Sequence, residues 1–88
     1  MTHSVEWKPK AVKQAKRLAK QDRIRIVKKV TDLADWPACM SSSDIKPLRN
    51  HTHQYRLRVG NYRVLFDVET GLRIISIEEV KKRDERTY

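Results

Sequence analysis

The chain has 88 residues with 20 Lys and Arg against 11 Asp and Glu, a formal charge of +9. That length is consistent with one domain, residues 1–88, and excludes a full dinucleotide-binding fold. Two Gly and three Pro exclude a collagen-like or linker composition. The charge points first to a polyanionic partner: nucleic acid, an acidic protein or a membrane surface. A single Cys39 closes no intrachain disulfide, and no apolar run approaches the roughly 18 residues of a membrane span. The expectation is a soluble cytoplasmic protein.

The charge is unevenly spread. Residues 1–36 carry ten basic and four acidic side chains, and residues 45–63 carry five basic ones and no acid. Residues 64–88 carry five basic and six acidic side chains.

Taken in chain order, His3–Trp7 alternates and reads as a short edge strand. Pro9 suits the first turn of a helix, and Ala11, Val12, Ala15, Leu18 and Ala19 form one apolar stripe. Lys10, Lys13, Lys16, Arg17 and Lys20 cover the rest of that surface. Asp22 is an N-cap candidate for a second helix, whose stripe is Ile26, Val27, Val30, Leu33 and Ala34. Trp36-Pro37 ends it, because the residue before Pro disfavours helical geometry. Cys39–Asp44 reads as a small polar loop.

The period then changes to two. Tyr55, Leu57 and Val59 point one way, Arg56 and Arg58 the other. Gly60-Asn61 marks a two-residue hairpin, followed by alternation over Tyr62–Val68. Glu69-Thr70-Gly71 is a second turn, Leu72–Ile77 a strand apolar on both faces, and Glu78–Tyr88 a charged tail. This order predicts an α+β two-layer domain, with an N-terminal strand and helical hairpin packed on a mainly antiparallel sheet of three or four strands.

A two-residue turn sets Val59 opposite Tyr62, Arg58 opposite Arg63, Leu57 opposite Val64 and Tyr55 opposite Phe66. Arg56, Arg58 and Arg63 then share the face away from the core. Like charges directly opposite are destabilising by up to about 1 kcal/mol. One explanation is structural, with acids such as Asp67, Glu78 or Glu79 pairing with the arginines. The other is an anion site, since the planar guanidinium fork matches phosphate. Lys81-Lys82-Arg83, Arg86 and the terminal Tyr88 add cations and a stacking aromatic. His51-x-His53 reads as loop polar residues rather than a metal pair, and no metal or cofactor is expected.

Tyr55-Arg56-Leu57-Arg58-Val59-Gly60-Asn61-Tyr62-Arg63 resembles the central signature of the RelE/ParE superfamily of bacterial toxins, Y-R-[LI]-R-x-G-[DN]-Y-R. Lys46-Pro47-Leu48-Arg49 is similar to its lead-in, and Val80-Lys81-Lys82-Arg83 with Tyr88 to its ending. The resemblance implies the RelE-like microbial ribonuclease fold and a type II toxin with a cognate antitoxin. It further implies metal-independent cleavage of mRNA, in the ribosomal A site, by the RNA's own 2′-hydroxyl. By motif, Arg56, Arg58, Arg63 and Arg83 would hold the phosphate, and Tyr88 would stack a base or share in proton transfer. Lys82 stands where many members have His. Arg is a poor general base because guanidinium is effectively never neutral near pH 7, so Lys82, Tyr88 and His53 are the proton-transfer candidates. Lys10, Lys13, Lys16, Arg17, Lys20, Lys46 and Arg49 would attract ribosomal RNA. Two other readings stand beside this one: the gyrase-poisoning branch of the superfamily, and a non-catalytic RNA-binding module.

Overall fold

A computed structural model describes residues 3–82. The elements run β1 (Ser4–Trp7), α1 (Pro9–Lys16), α2 (Lys20–Thr31), two short 3-10 turns (Asp32–Asp35 and Ala38–Ser41), β2 (Ile45–Pro47), β3 (Tyr55–Val59), β4 (Tyr62–Glu69) and β5 (Ile74–Lys82). The sheet order is β1-β5-β4-β3-β2, with β1 parallel to β5 and the other pairs antiparallel. The two-layer α+β class expected from the sequence is therefore the one that forms, with five strands. The short β2 is an edge strand that ends in Pro47, a residue an edge tolerates because it has no ladder N–H to give.

Both helices cover one face of the sheet. Ala11 of α1 and Ile26 and Val30 of α2 are buried with Leu33, against Leu57, Val59, Val64, Phe66, Ile75, Ile77 and Val80 from the strands. Trp36 packs edge-on against Tyr55 and Phe66, at centroid distances of 4.8 and 5.7 Å. Such aromatic contacts add about 0.5–1.5 kcal/mol beyond the area they bury.

Local readings change where long-range contacts intervene. Helix α1 stops at Lys16, yet Leu18 still packs on the core. Ala19, not Asp22, is the N-cap of α2. Asp22 lies in the first turn, where a negative charge suits the helix dipole, and its carboxylate accepts the Tyr62 hydroxyl at 3.0 Å. The second helix becomes a 3-10 turn at Asp32, ahead of Trp36, as i→i+3 bonds tighten its end. Leu72 belongs to a turn, because Arg73 adopts a φ of 55° and Leu72 N–H donates to the Glu69 carbonyl. Strand β5 instead continues to Lys82, through the sequence expected to be a charged tail. Pairing with β4 along its whole length holds it extended. A bulge opposite Leu65 and Phe66 leaves Glu78 as the extra residue. No helix among the described residues is long and apolar enough to cross a membrane.

Candidate functional site

The hairpin register is the one expected from Gly60-Asn61: Val59 opposite Tyr62, Arg58 opposite Arg63, Leu57 opposite Val64, Tyr55 opposite Phe66. Gly60 takes a φ of 58°, which a side chain would oppose. Tyr55, Leu57 and Val59 face the helices, so Arg56 and Arg58 face away from them, as do Arg63, Leu65 and Asp67 on β4.

Extending the register across the sheet aligns a row. Arg58 pairs with Arg63 and Arg63 with Lys81. On the other side the Arg58 N–H donates to the Asp44 carbonyl at 2.9 Å, continuing the ladder one residue beyond β2. Asp44, Arg58, Arg63 and Lys81 thus lie side by side on the face without helices. At about 4.8 Å per strand the row spans roughly 14 Å. Its last three members are exposed cations, and among the described residues Arg63 makes no ion pair.

Arg56 differs. Its side chain is only 9% exposed, and its Nη2 lies 3.3 Å from Asp44 Oδ1. Arg58 Nε lies 3.8 Å from the other oxygen of the same carboxylate, with 39% of the side chain exposed. An acid does neutralise part of the arginine cluster, but it is Asp44 rather than Asp67, Glu78 or Glu79. The cations exposed on this face are therefore Arg58, Arg63 and Lys81, whereas Arg56 is buried against Asp44.

Lys82 lies opposite Tyr62, on the helix-facing side of the sheet, whereas Lys81 lies opposite Arg63. Alternation brings Lys81 rather than Lys82 to the arginines. Arg83, Arg86 and Tyr88 lie outside the described residues.

The acids gather at the other end of this face. His53 Nδ1 lies 3.2 Å from Asp67 Oδ2, and Nε2 lies 3.5 Å from Glu79 Oε2. Asp67 is four residues beyond Arg63 on β4, roughly 13 Å along the strand, while Glu79, the other partner of His53, lies opposite Leu65, two residues from Arg63. Glu79 also meets Lys10 and Lys81, at 3.5 and 3.6 Å. Burial pushes the Glu79 carboxyl up, but the two lysines outweigh it and hold its pKa below the ordinary carboxylate value. His53, Asp67 and Glu78 present ligand atoms within 4.8 Å of one another. His53 is already held by two carboxylates there, and Glu78 accepts the Ser76 hydroxyl at 2.7 Å. His51 is tied differently, its Nδ1 accepting the His53 N–H at 3.0 Å.

Of the surface cations expected to attract RNA, Lys13, Lys16, Arg17, Lys20, Lys46 and Arg49 are exposed, and Lys46 lies opposite Arg56 at the sheet edge. Lys10 is exposed too, but bridges to Glu79. The sequence names Lys81 only as one cation of the tail, and gives no role to Asp44 or Arg25. Lys81 was legible from the period-two pattern Glu79-Val80-Lys81. Asp44 and Arg25 were not, since their roles depend on distant contacts. The Arg25 guanidinium reaches the hairpin tip, with Nη1 3.2 Å from where a Cβ on Gly60 would stand.

Comparison with known proteins bears on the family and the fold. Residues 5–87 match the family described as the ParE toxin of the type II toxin–antitoxin system parDE. No curated protein matches the sequence. The archaeal RelE–RelB complex from Pyrococcus horikoshii superposes with a TM-score of 0.79 at 28% identity, covering 94% of this chain and 97% of that one. A RelBE toxin–antitoxin complex from Mycobacterium tuberculosis gives 0.79 at 21% identity, with 94% and 100% covered. The isolated RelE toxin of E. coli gives 0.75 at 18% identity, with 93% and 85% covered. With a signature hairpin, a RelE-type sheet and a family match over nearly its whole length, the chain belongs to the RelE/ParE superfamily of type II toxins.

Proposed function

We propose that this toxin is an endoribonuclease that cleaves mRNA, acting in the ribosomal A site in the cytoplasm, and is held inactive by a cognate antitoxin. The observation that carries this reading is the direct apposition of Arg58 and Arg63, with Lys81 beside them, on an open face of rigid strands. A fold gains nothing from opposed like charges, whereas a phosphodiester in transit between one and two negative charges does.

In the proposed reaction the 2′-hydroxyl oxygen attacks the adjacent phosphorus and the P–O5′ bond breaks. The products are a 2′,3′-cyclic phosphate and a 5′-hydroxyl. The 2′-hydroxyl proton leaves as the O2′–P bond forms, and the O5′ leaving group takes up a proton. Arg58 and Arg63 would hold the non-bridging oxygens and stabilise the second negative charge of the pentacovalent transition state. Arg56 would support Arg58 from below through Asp44. His53 is engaged by Asp67 and Glu79, and the proton transfers are assigned in this reading to Tyr88 and to Lys81 in place of Lys82. The antitoxin reading draws on structural neighbours that include complexes of RelE toxins with RelB.

The test is mRNA cleavage in a purified translation reaction. Loss of a preorganised donor to a developing charge costs roughly 3–4 kcal/mol, so Arg63→Ala is expected to reduce cleavage by about two to three orders of magnitude while leaving the fold intact. Undiminished cleavage would remove Arg63 from the site. A second reading, inhibition of gyrase, is favoured by the ParE description of the matching family. Inhibition of DNA supercoiling without RNA cleavage would establish it instead.

A further inference from the structure

Between Asp35 and Asp67 the sequence holds one carboxylate, Asp44. It lies in the loop before β2, yet it is fastened to the arginine row twice. Its carbonyl accepts the Arg58 N–H at 2.9 Å. Its carboxylate faces Arg56 Nη2 at 3.3 Å and Arg58 Nε at 3.8 Å. A carboxylate and a phosphate present the same kind of acceptor oxygens to a guanidinium. The position Asp44 takes on Arg58 is therefore one that a bound phosphate would claim. Arg56 is buried and keeps its partner, while Arg58 is more than a third exposed and can exchange it.

We propose that Asp44 is an internal counter-ion and positioning residue for Arg58: it holds the guanidinium in place in the free protein and must be displaced when a phosphate binds. This rests on the reading of the arginine face as an RNA site, but it extends to any phosphate-like anion. The consequence is physical. A lysine or arginine that meets a phosphate normally releases condensed counter-ions from the nucleic acid, and single-stranded contacts steepen log K against log salt by about 0.7 each. Where the contact is made at the expense of a protein carboxylate, the attraction it contributes is offset by the ion pair it breaks. Wild-type Arg58 then adds less to RNA affinity than Arg63, although the two stand side by side.

Asp44→Asn is the discriminating variant. It keeps the backbone tether to Arg58 and an acceptor oxygen for Arg56, and removes only the charge. Binding of an uncleavable 2′-O-methyl RNA oligonucleotide is followed by fluorescence anisotropy across a salt series, with melting temperature measured on each variant. Asp44→Asn is expected to bind about two- to five-fold tighter, as befits release of a partly exposed ion pair, with a salt slope steeper by up to about 0.7. Asp44→Glu should return both quantities toward wild type, and in an Arg58→Ala background Asp44→Asn should no longer change either one. Equal affinity and slope for wild type and Asp44→Asn, with Arg58→Ala still weakening the wild type, would overturn the proposal. An RNA affinity insensitive to both Arg58→Ala and Arg63→Ala would overturn the RNA reading instead. The counter-ion role is then decided by inorganic sulfate, titrated against the Arg58 Nε–H resonance: half-saturation at lower sulfate in Asp44→Asn supports it, and identical titrations refute it.

Discussion

Replacing Arg63 by Gln is expected to stabilise the protein while disabling it. Arg63 stands directly opposite Arg58, and opposed residues have Cα atoms about 4.5–5.5 Å apart. Two unit charges roughly 5–7 Å apart repel by about 0.6–0.8 kcal/mol even in a water-like dielectric. Asp44 attracts Arg58 but makes no ion pair with Arg63, so the repulsion is relieved when Arg63 loses its charge. Gln keeps most of the side-chain stem on the sheet surface. A gain of up to about 1 kcal/mol corresponds to a rise in melting temperature of roughly 4–8 °C for a domain of this size. Thermal denaturation monitored by circular dichroism measures it directly. The gain should shrink in 1 M salt, where the Debye length falls to about 3 Å. A melting temperature that falls at low salt would refute the reasoning, because it would mean Arg63 is held by attraction rather than kept in spite of repulsion.

Three other outcomes follow from the same structure. Tyr62→Phe removes the hydroxyl that donates to Asp22 and is expected to cost about 1 kcal/mol in urea denaturation. That bond raises the Tyr62 pKa above its ordinary 10.0. Its stabilisation is therefore full below pH 10 and is lost as pH rises through the folded value, so wild type and Tyr62→Phe should converge in strong alkali. Gly60→Ala places a side chain at a φ of 58° and should cost about 1–2 kcal/mol. Gly60→Asn should cost less, because Asn enters the left-handed region more readily, and denaturation midpoints separate the two. Lys81→Ala should weaken binding of a single-stranded RNA and flatten its salt slope by up to about 0.7, less the share that its pairing with Glu79 offsets, whereas Lys82→Ala should change it less. The reverse order in an anisotropy titration would contradict the strand register.

The amino-acid sequence by itself determined much of this architecture. The switch from a 3.6-residue to a 2-residue apolar period separates the helices from the meander, since each period presents one apolar face to a shared core. Gly60-Asn61 sets the hairpin register, because a tight turn leaves one way to pair Tyr55–Val59 with Tyr62–Phe66. From that register alone Arg58 and Arg63 must oppose each other. The signature hairpin also carries the superfamily resemblance.

What lies beyond local pattern was decided by tertiary structure. Residues 78–82 look like a charged tail, but β4 pairs with them and alternation then sends Lys81 to the arginines and Lys82 to the other side. Asp22 looks like a cap, but a hydroxyl 40 residues away claims its carboxylate. Nothing local distinguishes Arg56 from Arg58; the fold buries the first against Asp44 and leaves the second half open. The +9 charge is a property of composition. The few cations left open to bind a phosphate depend on where the sheet brings the carboxylates, and those contacts join residues far apart in the chain.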